Sequence, residues 1–192
     1  MKILRAEYKD VGACYFFSED KACKYFFKIN GREAILFTNT KLYINQAIDE
    51  FLFYSGFITL IKDKEGNTLV SRTMAEPYLL EISKIQPSQF YINQQKLNSC
   101  KRWIKIPQDI FIPIAIKDSK TISLDGHTRL KAATELGFTS VFVYPDEYDE
   151  TIFYFVDEAI KRKIYSVHDM EVVSSEEYKT KWDEFCDAFF RL

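Results

Sequence analysis

The chain alternates between apolar runs of strand length and longer stretches with helical spacing. "YFFKINGREAILF", residues 25–37, is two apolar runs broken at Asn30-Gly31, which predicts a hairpin. "YINQAIDEFLFYSGF" places Ile44, Ala47, Ile48, Phe51 and Leu52 on one helical face, with Gly56 as its stop. "FITLIKDKEGNTLVSR" predicts a second hairpin around Glu65-Gly66-Asn67. The pattern then changes. "YLLEISKIQP" predicts one short strand ending at Pro87, and "NQQKLNSCKRWI" a helix capped by Asn93. "DIFIPIAIKD" and "KTISLD" predict two strands around Asp118-Ser119-Lys120. "TRLKAATEL" predicts a helix with Leu130, Ala133 and Leu136 on one face and Gly137 as its stop, and "SVFVYP" a closing strand. The remainder is helical. "DETIFYFVDEAIKRKI" has acids first and bases last, matching the helix dipole. Ser174 and Glu177 form a capping box, after which Tyr178, Trp182, Phe185, Cys186 and Phe189 fall at helical spacing and predict a docking aromatic face.

Composition supports a well-filled core: of 192 residues 47% are hydrophobic, with 17 Phe and 12 Tyr. The formal charge of −2 argues against a life spent on non-specific nucleic-acid contact, although a local basic patch stays open. No apolar run is long enough for a membrane span, and "MKILRAEYKD" turns polar too early for a leader. The four cysteines form no CxxC pair and only two His are present, which argues against zinc and for a reducing, cytoplasmic setting.

The chemistry concentrates in "ISLDGHTRLKAATELGF", residues 122–138. A helix that starts directly after a strand offers unpaired N–H groups and the positive end of its dipole, an arrangement that binds phosphate. Gly126 permits close backbone approach. Thr128 can cap the helix or donate its hydroxyl, and Arg129 offers a planar fork of donors. His127 can donate or move a proton, while Asp125 can hold a metal, orient His127 or accept a proton. The same residues also read as an Asp-Gly turn, a Thr cap and a snorkelling Arg, with no ligand. Gln89, Tyr91 and Asn93 alternate after Pro87 and either line a pocket or serve turn and cap. The acids Asp146, Glu147, Asp149 and Glu150 read as a solvated loop or as Mg²⁺ ligands. Lys101, Arg102 and Lys105 around Trp103 read as a basic helix end, or as a contact for a nucleotide phosphate or RNA by charge and stacking, and His168 reads as a loop or cap residue.

"LDGHTRLKAATELGFTSVFVY" resembles the signature of the ParB/sulfiredoxin-like superfamily, and "EISKIQPSQFYIN" with "DIFIPIAI" fits its opening strand, helix and second strand. The resemblance covers roughly residues 78 to 145. It implies that Gly126, His127, Thr128 and Arg129 cradle nucleotide phosphates, with Asp125 beside them. The sulfiredoxin nucleophile is absent, since His127 stands where its Cys would be. A helix-turn-helix of the partitioning proteins is absent too. "DGHTR" is closest to the free serine kinases, but Gln89 stands where their Glu base is expected.

The sequence therefore implies an α+β protein: an N-terminal β-rich extension (1–75), a ParB/sulfiredoxin-like core (76–150) and C-terminal helices (151–192). The resemblance implies ATP or ADP binding, with Mg²⁺ as an optional partner. Phosphate would pass to a small hydroxyl compound such as an amino acid, with Asp125 or His127 taking the proton and Gln89 and Tyr91 holding the substrate. The alternatives are a nucleotide-sensing module that meets a protein partner through residues 1–75, and a ParB-type nucleic-acid binder or nuclease, the latter disfavoured by charge.

Overall fold

The computed structural model describes residues 2–5 and 13–191, so most of "MKILRAEYKD" lies outside the described residues. The chain is mixed α+β and divides into two compact units, Met1–Met74 and Ala75–Leu192.

The first unit is a six-stranded sheet in the order β1 (Ile3–Arg5), β2 (Ala13–Ser18), β3 (Lys24–Asn30), β4 (Glu33–Thr38), β5 (Leu60–Asp63), β6 (Thr68–Ser71). All neighbours are antiparallel except β4 and β5, which helix α1 (Ile44–Tyr54) joins as a parallel pair. Both expected hairpins form, the first with Asn30 opposite Glu33. Alternation along β3 and β4 sends Tyr25, Phe27, Ala34 and Leu36 to one face. There they meet Ala47, Ile48 and Phe51 of α1. Phe27 and Phe51 stack at 4.1 Å with planes 3° apart, and Phe16 meets Phe51 edge-on at 6.4 Å.

The second unit holds a five-stranded sheet. Its strands are β7 (Tyr78–Glu81), β12 (Ser140–Pro145), β10 (Phe111–Lys117), β11 (Lys120–Ser123) and β8 (Ile85–Gln86), in that spatial order. The stretch expected as one strand, "YLLEISKIQP", is therefore two. β7 pairs with β12 at one edge and β8 with β11 at the other, so the chain must cross the sheet, and a 3-10 turn at Ile82–Lys84 starts that crossing. Helices α2 (Gln94–Trp103) and α3 (His127–Glu135) bury Leu97, Leu130, Ala132 and Ala133 in the main core with Ile112, Ile114, Val141 and Val143. Asn93 caps α2, its side chain accepting from the N–H groups of Gln95 and Lys96. Leu136, expected on the buried face of α3, is 38% exposed because the backbone has already left helical geometry there.

The C-terminal segment belongs to the same unit. α4 (Ile152–Lys161) buries Phe155, Val156 and Ala159. Strand β13 (Glu171–Val173) pairs in parallel with β9 (Tyr91–Asn93). The Ser174–Glu177 capping box opens α5 (Ser175–Tyr178), a π-helical turn follows at Lys179–Asp183, and α6 (Glu184–Phe190) ends the described chain. Trp182 and Phe185 meet Phe90 at 4.9 and 5.1 Å, and Phe189 stacks on Tyr154 at 4.5 Å. Among the described residues no helix is long and apolar enough to cross a membrane.

The first unit depends on one aromatic stack. Phe51→Ala removes a side chain with no solvent exposure and is expected to cost about 3–5 kcal/mol, read as a lowered urea midpoint for the full chain.

Candidate functional site

β11 ends at Ser123, and α3 begins at His127, with three residues between them. Gly126 occupies the N-cap position with φ 83°, a conformation that glycine adopts at little cost. A β-carbon there would also lie 2.7 Å from Ile112 Cδ1 and 3.0 Å from Arg129 Nη2, so the glycine makes room for a guanidinium folded back over it. Because the helix starts at His127, Thr128 is not its cap and its half-exposed hydroxyl remains uncommitted. The first intrahelical bond runs from Leu130 N–H to Gly126 O, which leaves the N–H groups of His127, Thr128 and Arg129 ahead of it.

His127 is the best-determined group of the turn. It is only 5% exposed. The backbone N–H of Ser88 donates to its Nε2 at 3.1 Å, and the Ser123 hydroxyl lies 2.9 Å from the same atom. The Ser88 hydroxyl is already directed to Ser123 O at 2.8 Å. A backbone N–H can only donate, so Nε2 carries no proton and the neutral ring carries it on Nδ1. Burial pushes the imidazole down to about 4, against an opposing pull from the Asp125 carboxylate, with a lesser push from the Arg129 guanidinium. Among the described residues Nδ1–H has no partner, and no fully sealed side-chain nitrogen or oxygen lacks one, so Nδ1–H keeps some access to solvent. This imidazole is a fixed, neutral donor.

Arg129 is 14% exposed along its side chain. Nη1 donates to Phe111 O at 2.8 Å and Nη2 to Asp125 Oδ2 at 3.1 Å. The carboxylate of Asp125 is 75% exposed and lies across the fork as an internal anion. Partial desolvation by the surrounding turn raises its pKa, but the Arg129 guanidinium and the Gly126 N–H outweigh that and hold the group below its ordinary value. Asp125 therefore engages the arginine and makes no bond to His127.

Gln89 is brought to the turn because its neighbour Ser88 is tied to His127. Its amide nitrogen donates to Tyr91 O at 2.5 Å and to the Tyr178 hydroxyl at 3.1 Å. The carbonyl of Tyr91 can only accept, so the orientation of the amide is settled and Oε1 is left as a free acceptor. Tyr91 itself turns its ring toward Lys181, 5.3 Å away, and contributes its carbonyl. Asn93 is a helix cap.

Sequence reasoning missed Ser88, Ser123, Tyr178 and Lys96. Lys96 has its ammonium 5.1 Å from the Tyr178 ring centroid. The Tyr178 hydroxyl is pushed well above its ordinary value, chiefly by burial. Cys100, on the same helix as Lys96, is raised to about 11 by burial and is a poor nucleophile. Asp146 and Asp149 accept from the backbone N–H groups of Glu147 and Thr151, which makes their loop self-satisfied. Among the described residues no three His, Cys, Asp or Glu gather as metal ligands. Lys101 pairs with Glu135 at 2.7 Å, and His168 lies in a 3-10 turn.

No family model matches this sequence, and no curated protein matches it. Among solved structures it is similar to a crystal structure of protein Atu1540 from Agrobacterium tumefaciens, at 16% identity and a TM-score of 0.35. The match takes in 50% of this chain and 63% of that one, so the chain spans less than two thirds of that protein's length. A superposition this loose assigns no fold.

The buried neutral imidazole has a pH signature. As pH falls below about 6.5 the unfolded chain takes up a proton that the folded chain refuses until about pH 4. The stability present above pH 6.5 is therefore lost progressively on acidification and levels off below pH 4. Between pH 7 and pH 5 the expected loss is roughly 2 kcal/mol by chemical denaturation. His127→Gln is expected to flatten that interval.

Proposed function

We propose that residues 76–150 form a ParB/sulfiredoxin-like core whose β11–α3 turn binds the phosphates of a small molecule, with ATP or ADP the first candidates. The carrying observation is the unpartnered Nδ1–H of His127, held by Ser88 and Ser123 at an open helix N-terminus beside Arg129. The first turn of α3, a neutral ring donor and a guanidinium lie within three residues of one another, and each favours anionic oxygen.

Binding without turnover is the better-supported form of this reading. General-base catalysis needs an unprotonated group free to take a proton. His127 has its basic nitrogen occupied, Gln89 is an amide, and Asp125 is ion-paired and a weak base. Phosphoryl transfer to a small hydroxyl compound is the second reading. It draws on the exposed, ionised carboxylate of Asp125, and such transfers rest mostly on positioning and charge neutralisation. In that case Asp125 would hold Mg²⁺ or the acceptor hydroxyl.

Calorimetric titration with ATP, ADP and inorganic phosphate, with and without Mg²⁺, tests the site. Arg129→Ala is expected to weaken binding at least tenfold. The absence of heat with all three, from folded protein, defeats the proposal. Asp125→Asn separates the two readings. If Asp125 only competes for the guanidinium, its neutralisation tightens nucleotide binding by roughly 3- to 10-fold, about the value of one partly screened charge. If it holds metal or acceptor, the same change abolishes transfer and removes the effect of Mg²⁺.

A further inference from the structure

Among the described residues of the first unit, α1 covers one face of the sheet. The opposite face carries three aromatic side chains in direct register, with Tyr15 opposite Phe26 and Phe26 opposite Phe37. Their ring centroids lie 4.6 and 5.7 Å apart, with planes inclined by 28° and 35°. Tyr15 and Phe37 are each 38% exposed, whereas Phe16, Phe27 and Leu36 on the α1 side are at 2% or less. Lysines flank the row. Lys24 and Lys28 lie two residues to either side of Phe26 on β3, about 7 Å along the strand in each direction. Lys62 lies opposite Ile35, itself 39% exposed. Neither Lys24 nor Lys28 has an ion-pair partner among the described residues, and Lys62 meets Glu33 only at 3.8 Å. Residues 1–74 hold eleven Lys and Arg against nine Asp and Glu, so this unit is basic within an acidic chain.

We propose that this open face binds single-stranded nucleic acid. The charge decides among the occupants of such a surface. A second copy docked face to face would set lysines against lysines. A neutral sugar would make no use of them. An acidic peptide would satisfy the lysines but has no planar groups to match an aromatic row. A single strand supplies both, with phosphates for the lysines and bases for the rings, and every base has a face to offer. The row spans about 10 Å from first centroid to last, room for two or three bases. The surface lies wholly within residues 13–62 and stands independently of the reading given to the α3 turn.

Fluorescence anisotropy with labelled oligo(dT) and oligo(U) of about 12 nucleotides, at low and physiological salt, tests the proposal. The folded wild type is expected to bind, with affinity falling as salt rises. Phe37→Ala is expected to weaken binding about tenfold while Phe37→Tyr retains it, since the ring is what stacks. Lys24→Glu with Lys28→Glu is expected to weaken it further and flatten the salt dependence. Arg129→Ala is expected to leave it unchanged. The proposal is overturned if neither oligonucleotide binds, if poly-glutamate displaces them equally well, or if Phe37→Ala binds as wild type. Loss of binding in Arg129→Ala would also overturn it, by moving the interaction to the α3 turn.

Discussion

The bond from Ser88 N–H to His127 Nε2 governs the second unit's chemistry. It removes the only freedom that a histidine has at neutral pH, the choice of where its proton sits. It also fastens the loop after β8 to the start of α3, which carries Gln89 to the same place. A buried imidazole that lost this partner would leave an unpaired backbone N–H inside the protein, a cost of about 1–3 kcal/mol, so the arrangement is self-enforcing. What remains is a turn rich in donors, with one carboxylate laid across its guanidinium.

Asp125 engages the Arg129 fork and keeps the guanidinium from being an unpaired charge. On the reading proposed above, an incoming anion competes with this carboxylate, and affinity is the difference between two anions on one fork.

Local chemistry was legible in the sequence. The Asn30-Gly31 hairpin, the Asn93 cap, the Ser174–Glu177 box and the strand-to-helix junction at Asp125-Gly126 each depend on residues within a few positions of one another. The rest depends on distance along the chain. Ser88 and His127 are 39 residues apart, and Gln89 and Tyr178 are 89 apart. No local pattern marks either pair. The split of "YLLEISKIQP" into β7 and β8 was invisible for a related reason, because apolar alternation says that a segment pairs but not with which edge. Tyr178 was read for its ring alone, and its hydroxyl turned out to orient an amide in the candidate site.

The π-helical turn at Lys179–Asp183 inserts extra chain between the capping box and the aromatic residues beyond it. A π turn closes its hydrogen bonds over one residue more than an α turn, so it takes up a single extra residue while the helix beyond keeps its face. Phe185 and Phe189 thereby stay against Phe90 and Tyr154. Loss of one residue within this turn would let it close to α geometry with those rings still aligned. Loss of one in the regular helix beyond would rotate all that follows by about 100°, a phase error that leaves composition intact while unseating the tail of the molecule.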